Sequence, residues 1–345
     1  MQKKIIALAI AAALTTPALA LAEASLYGQA NLSIDMVNDG ASPSGSSNNM
    51  VSNSSRLGFK GSQDLGGGNS VVWQMEGTVG MDSGATTAGQ LFDRDTYLGL
   101  ANAGMGTVML GRQDTPYTNS TRNLDLFADG TADNRTMMGG HDLRLSNVVA
   151  YASPVRNGMS VAVASMFGAE NATAADTKGS AISLAGMYEQ GPIYATVAYD
   201  KIKFGTVGDL AAAPFGLASG DESGAFKVGG SYTMNQFAVN AVIEKTTFTP
   251  AAGGGDQTGT NLYLGGKFNV SSTDAAKLAY AKHGATTGNA DGASEFTVGY
   301  DHGMNKNTTV YALYSTVTND TNGTSNTAIT GADPSTLSVG IKYAF

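Results

Sequence analysis

The 345-residue chain has no cysteine, one tryptophan, eight prolines and three histidines. Without cysteine there is no disulfide framework, so stability must come from hydrogen-bonded sheet and packing. After residue 22 no stretch approaches the roughly 20 apolar residues that a membrane helix needs, which excludes a helical membrane protein. Charge is also scarce, at 14% of residues, and the formal net charge is −8. That balance excludes the basic surface on which nucleic-acid binding depends. His141, His283 and His302 are scattered, with no metal-ligand spacing, and no Gly-x-Ser-x-Gly elbow is present. Gly66-Gly67-Gly68 follows a strand pattern without the Lys-Ser/Thr and helix of a phosphate loop, and reads as a tight turn. No cofactor site emerges from these searches.

What the chain does have is glycine, at 45 residues, together with abundant Ser, Thr, Asn and Tyr. This composition argues for many strands joined by turns and loops. The amino-terminal segment is of another kind. Lys3-Lys4, an apolar run from Ile5 to Leu14 and Pro17-Ala18-Leu19-Ala20-Leu21-Ala22 form the charged start, apolar centre and Ala-x-Ala site of a secretory signal peptide. The apolar run is too short to span a bilayer as an anchor. The expected division is therefore a signal peptide at 1–22, cleaved after Ala22 or Ala20, and a mature domain at 23–345. Losing residues 1–22 removes Lys3 and Lys4 and no acid, which takes the net charge from −8 to −10.

Period-two alternation dominates the mature segment. In Leu337-Ser338-Val339-Gly340-Ile341-Lys342-Tyr343-Ala344-Phe345 the odd residues are apolar or aromatic and the even ones small or charged. Leu26, Ala30, Leu32 and Ile34 oppose Tyr27, Gln29, Asn31, Ser33 and Asp35. Phe226, Val228 and Tyr232 oppose Lys227, Ser231 and Thr233. About sixteen such segments of roughly nine to eleven residues occur, the length of a tilted membrane strand. Several apolar faces stop at Tyr or Phe, as an interfacial aromatic girdle does. Connections alternate between short turns (64–69, 103–106, 155–158, 191–192, 234–236) and long loops (38–52, 82–90, 114–143, 205–222, 319–333). A soluble sandwich also alternates. Evenly spaced strands, alternating loop lengths and charge confined to one face favour an all-β, transmembrane antiparallel β-barrel of 16 strands with a water-filled lumen. No fixed-length repeat suggests a propeller. Asn171-Ala172-Thr173 and Asn322-Gly323-Thr324 match a glycosylation pattern and read as loop composition.

Four segments carry a family resemblance. Ser25-Leu26-Tyr27-Gly28, Ser54-Ser55-Arg56-Leu57-Gly58-Phe59-Lys60-Gly61-Ser62-Gln63-Asp64-Leu65-Gly66, Leu110-Gly111-Arg112-Gln113 with Thr115-Pro116, and Arg144-x-x-Asn147-x-x-x-Tyr151-x-Ser153-Pro154 resemble the general porins of Gram-negative outer membranes, of the betaproteobacterial and neisserial type. Gln63 stands where those porins usually have Glu, and Val148 where they usually have Ser. The resemblance covers essentially the whole mature chain. It implies a homotrimeric barrel for passive diffusion of ions and small hydrophilic solutes, set in outer-membrane lipid and lipopolysaccharide. It also implies a third loop folded into the lumen, and a terminal Phe345 read by the barrel-assembly machinery.

The candidate selectivity residues follow from strand parity and loop length. Arg56 and Lys60 share the polar face opposite Leu57 and Phe59. Glu76 lies with Gln74 and Thr78, opposite Trp73 and Met75. Arg144 shares a face with Ser146. Arg94 has the parity of Leu98 and Leu100, and only the resemblance puts it inside. Arg112 has the parity of Val108 and Leu110 and is left out. The loop of about 30 residues after Asp114 is unusually long for a connection; within it Asp125 and Asp129 are the candidates, beside Asp133, Asp142, Arg122 and Arg135. Arginines on the wall facing carboxylates on the loop would set a transverse field across a narrow aqueous gap. The alternative is a substrate-specific channel, which needs an aromatic track or a dedicated binding cluster. An enzyme or adhesin barrel would need a catalytic constellation at one rim, and none is visible.

Overall fold

A computed structural model describes residues 23–41, 45–87, 89–168, 177–212 and 217–345. The expected signal peptide and the Asn171-Ala172-Thr173 motif lie outside these residues. The strands, in chain order, are β1 (Glu23–Asn38), β2 (Ser46–Ser52), β3 (Arg56–Gly66), β4 (Asn69–Thr78), β5 (Thr96–Asn102), β6 (Gly106–Asp114), β7 (Arg144–Ala152), β8 (Met159–Met166), β9 (Ser180–Gln190), β10 (Ile193–Lys203), β11 (Glu222–Met234), β12 (Phe237–Thr249), β13 (Gln257–Asn269), β14 (Asp274–His283), β15 (Ala293–Gly303), β16 (Thr308–Asn319) and β17 (Ser335–Ala344).

These seventeen segments make sixteen staves. Both β2 and β3 pair with β1, through Leu32–Asn38 and Glu23–Gln29 respectively, so they are one strand interrupted at Asn53-Ser54-Ser55. Ser54 has φ 53°, and the Asn31 amide bonds the Ser55 Oγ (2.9 Å) across the break. A bulge of this kind turns a strand without leaving its backbone groups unpaired. The first long loop is correspondingly shorter than the sequence predicts: the alternation-poor Ser46–Ser52 is strand, held by its ladder to β1. Every other strand pairs antiparallel with its chain neighbours, and β17 closes on β1 from Gln29↔Ala344 to Asn38↔Ser335. Phe345 completes the seam, exchanging backbone hydrogen bonds with Gly28 at 3.0 and 3.1 Å. Closure removes the sheet edges that hydrocarbon cannot satisfy.

The two faces separate as the alternation predicts. Leu26, Ile34, Val197, Phe226, Ile243, Leu264, Val298 and Val339 are exposed outward, while Asn31, Asp35, Thr196, Lys227, Glu244 and Ser338 are buried inward. Phe237–Phe268 and Tyr343–Phe345 stack near the short-turn end, at centroid separations of 4.7 and 5.7 Å. The turn Gly66-Gly67-Gly68 has φ of 81°, 63° and 78°, a run that residues with a Cβ rarely adopt. All long loops emerge at the other end.

Candidate functional site: a charged loop against the barrel wall

The connection between β6 and β7 is the most structured of the long loops. The Thr115 hydroxyl accepts from the Thr118 amide and starts a one-and-a-half-turn helix, Pro116–Thr121, with Pro at its first position. A second short helix covers Arg135–Met138. The segment contacts one strand after another. Leu124, Phe127, Met137 and Met138 share a buried apolar cluster with Tyr194, Val242, Tyr263 and Leu313 of the strands. The Tyr117 amide bonds Ser183 of β9, and the Tyr194 hydroxyl of β10 donates to the Ser120 carbonyl. Asn240 of β12 donates to the Leu124 carbonyl at 2.7 Å, and Lys277 of β14 to that of Leu126 at 3.1 Å. On β1, Asn31 donates to the Asp129 carbonyl and Thr131 donates to Asp35, both at 2.6 Å. Glycines on the inner face make room for this path. A Cβ on Gly229 would lie 2.7 Å from Leu124 Cδ1, and one on Gly299 would lie 2.6 Å from Phe127 Cε1.

At its tip the loop meets wall arginines. Arg56 Nη1 lies 3.1 Å from Asp129 Oδ2, and Arg56 Nε lies 3.9 Å from Glu76. Glu76 also pairs with Arg94 and accepts from the Tyr27 hydroxyl at 2.8 Å. The outward parity of Arg94 does not apply, because Arg94 and Asp95 both bond the Glu76 backbone, at 3.1 and 3.0 Å, two residues against one, which shifts the register before β5 begins at Thr96. Arg144 bridges Asp95 (2.7 Å) and Asp114 (2.8 Å). Lys60 sits over the Tyr27 ring at 4.7 Å. Arg112 is drawn to the rim, where it pairs with Asp209 of another long loop at 2.7 Å.

The loop's own charges divide sharply. Arg122 bridges Asp133 (2.6 Å) and Asp129 (2.9 Å), and Arg135 adds a contact of 3.1 Å to Asp133. Burial alone would raise the Asp129 carboxyl, but Arg56 and Arg122 hold it well below the usual carboxylate range. Asp133 is likewise lowered against its burial by the Arg122 hydrogen bond. Asp125 behaves otherwise. Its side chain is fully buried and accepts from the Phe127 and Asn134 amides at 2.9 and 3.0 Å. Burial, then the neighbouring Asp133, push its carboxyl up. It ties the loop to itself, and the Tyr263 hydroxyl of β13 also donates to it at 3.4 Å. Sequence reasoning did not single out Asp95, Asp114 or Lys342. Lys342 was legible as a charged even residue of the last strand; the two aspartates flank strand ends, where parity carries no information.

Among the described residues no cluster of His, Cys, Asp and Glu could hold a metal ion. A closed barrel with an apolar exterior, a polar interior and paired charges gathered inside defines a channel through a membrane. The Gram-negative porin family pattern matches residues 7–322, and the chain belongs to that family. Outer membrane porin protein 32 of Delftia acidovorans is 28% identical over 325 residues, covering 90% of this chain and 88% of that protein. Major outer membrane protein P.IA of Neisseria meningitidis serogroup B is 30% identical over 190 residues, 47% of this chain and 46% of that one. Among solved structures, the anion-selective porin from Comamonas acidovorans superposes with a TM-score of 0.80 at 24% identity, covering 94% of this chain and all of that one. OmpT of Vibrio cholerae in its trimer form superposes with 0.70 at 16% identity, covering 94% and 99%. The protein is thus an outer-membrane porin, a water-filled channel for passive diffusion.

Proposed function

We propose that the Thr115–Leu143 segment folds into the lumen as the constriction, and that Arg56, Lys60, Arg94, Arg144, Glu76 and Asp129 line the gap it leaves. The observation that carries this reading is the Arg56–Asp129 pair: after contacting β9, β10, β12 and β14 in turn, the loop reaches β1 and β3, strands that lie on the other side of its root on β6 and β7. Charges on the two sides of a narrow aqueous gap act with little screening, so they orient polar solutes and set ion preference.

The channel prefers anions. Glu76, Asp95, Asp114, Asp129 and Asp133 are all matched in ion pairs by Arg56, Arg94, Arg122, Arg135 and Arg144. Lys60 and Lys342 add positive charge with no ion pair among the described residues. Asp125, with its raised and buried carboxyl, subtracts little from this surplus. The related Comamonas structure is described as anion-selective. Asp35, Asp200, Glu244 and Glu295 also face inward without an ion pair among the described residues, but each is buried in the wall, and salt screens the acids of the outer loops beyond roughly 8 Å.

The working assembly is a homotrimer, as the Vibrio relative is described. Residues 1–22 direct export and are then cleaved, and the barrel-assembly machinery reads the carboxy-terminal Phe345. Among the described residues no side-chain constellation favours catalysis. Single-channel recording in a planar bilayer under a salt gradient tests the reading. Conductance steps in triplets with a reversal potential of anionic sign are expected; a cationic sign would overturn the assignment of the surplus to the constriction.

A further inference from the structure

A second long loop turns inward beside the first. Between β10 and β11, Leu210 and Ala212 are buried against Met109, Val148, Met166 and Ile202, inward residues of β6, β7, β8 and β10. The Gly205 amide bonds the Leu210 carbonyl and the Ala212 amide bonds the Gly205 carbonyl, both at 2.9 Å, so the bend is closed by its own backbone. Asp209 latches it to the rim. One oxygen of that carboxylate accepts from the Ser146 amide at 2.6 Å and from Arg112 at 2.7 Å.

Between this loop and the Arg135–Met138 helix lies a recess of about 410 Å³, within the size range of small-molecule sites. Its apolar lining comes from both loops and the wall: Phe204, Leu210 and Leu217 of the second loop, Met138 and Leu143 of the first, and Phe248 of β12. Leu143, Leu217 and Phe248 are only half-buried, apolar surface left facing an otherwise polar interior. The same recess is lined by Arg135, Gln257 and His283. Arg135 spends Nε and Nη2 on Asp133, both at 3.1 Å, and its Nη1 makes no hydrogen bond among the described residues. The Gln257 and His283 side chains make none among them either. The acids nearby are already taken. Glu244 accepts from Tyr117 and from Asn261, and Asp291, beside His283, accepts from the Thr286 amide and hydroxyl at 2.7 Å. What remains unspent can donate to an anion, and one of these groups is a permanent cation.

We propose that this recess is a binding site for small carboxylates with an apolar body, aryl or branched alkyl acids, at the long-loop mouth of the channel. The apolar body packs on Phe204, Leu217 and Phe248, and the carboxylate accepts from Arg135, Gln257 and His283. Burying the body removes apolar surface of ligand and lining from water, and the carboxylate pairs donors that the chain leaves unpaired. Neither half is enough. Acetate leaves the apolar lining wet, and an uncharged ligand gives the guanidinium no charge to meet. The assignment rests on the reading that the Thr115–Leu143 segment lies in the lumen. It makes the channel discriminate, by residence at its mouth, among solutes of equal charge.

Ligand-detected NMR of the detergent-solubilised full barrel, referenced to protein-free micelles, reads binding without conduction. The probes are 4-isopropylbenzoate, 4-isopropylbenzamide and acetate. Saturable binding of 4-isopropylbenzoate is expected, with the amide and acetate weaker by roughly tenfold or more. In planar-bilayer recording the same acid, added on the long-loop side, should give brief partial blockades that Phe248→Ser shortens several-fold. Leu217→Asn is the second variant, should Phe248→Ser assemble poorly, and is expected to act in the same direction. Lys306→Gln, on a short turn at the opposite end, serves as control and is expected to change neither readout. Equal binding of the acid and its amide, or equal binding by wild type and Leu217→Asn, would overturn the proposal. An anionic reversal potential without this binding would overturn the recess alone. A cationic reversal potential would overturn the reading of the constriction, and the NMR result would still decide the recess.

Discussion

The third loop is fixed at two places by similar ion pairs in different surroundings. At its root, Lys227 is almost completely buried, 2.8 Å from Asp142 at the loop's exit and 3.8 Å above the Tyr117 ring at its entry. Tyr117 donates to Glu244 at 2.5 Å, and His141 bonds Ser223 at 2.8 Å. One lysine therefore holds both ends of the loop. At the tip, Arg56, Arg122, Asp129 and Asp133 form a mesh of equal density whose side chains keep partial contact with water. The root cation is dry, 2% exposed, so it acts on the loop's position; the tip arginines keep 17 and 22% of their exposure, so they act on what passes. A buried charge that loses its partner is costly, whereas an exposed one is screened and rehydrated.

Breaking the root has the largest expected effect. Lys227→Met leaves the largely buried Asp142 without its cation, at a cost of at most about 3–5 kcal/mol; a rise in open-channel noise and in proteolysis between 116 and 142 is the readout. If the loop stays quiet and protected, the root is not what holds it. Val339→Arg, on the lipid face and away from both regions, costs about 2–4 kcal/mol at midplane and should impair assembly. Assembly is followed by heat-modifiable gel mobility, and a normal yield would refute the strand parity. At the tip, Arg56→Glu with Arg144→Glu should shift the reversal potential toward cations while the trimer persists. An unchanged potential would remove these arginines from the constriction.

Acid separates the two regions by pH. Burial, then the Lys227 charge, push His141 down from its ordinary value to about 4. A lowered histidine contributes stability that is present above its ordinary value near 6.5 and is lost as pH falls through about 4. Asp129, also lowered, holds the tip until more acidic pH. Between about pH 6.5 and 4 the root should therefore loosen while the tip stays paired, seen as gating noise without a change in ion preference. His141→Gln, which cannot titrate, should flatten that noise limb. The smallest expected effect is from Asp129→Asn, which removes one carboxylate from the tip and should raise anion preference modestly without added noise.

Much of this was legible in the chain. Strand alternation identified the lipid and lumen faces of β1, β11 and β17, because a closed barrel admits no other use for a period of two. Arg56 and Glu76 were placed inside by the same parity. Parity failed where strands end or bulge. Arg94 lies before β5 and turns inward to Glu76 against its apparent face. Ser46–Ser52 looked like loop, because a ladder to β1 holds it where its composition does not. Asp125 and Asp129 are alike in sequence, yet one caps the loop's own amides and the other reaches Arg56. No local pattern distinguishes them, since their partners lie in segments far along the chain.

The sequence by itself determined the class: about sixteen alternating staves without a membrane helix, joined by alternating turn and loop lengths. These are local properties, and the bilayer turns them into a closed barrel by leaving no other way to satisfy the backbone. Only the tertiary structure decided where the long loop runs, which acids it spends on its own fold, that Lys227 clamps both its ends, and that the loop between β10 and β11 turns inward beside it. Each depends on which residues from distant strands come within a few ångströms of one another, and periodicity carries no record of that.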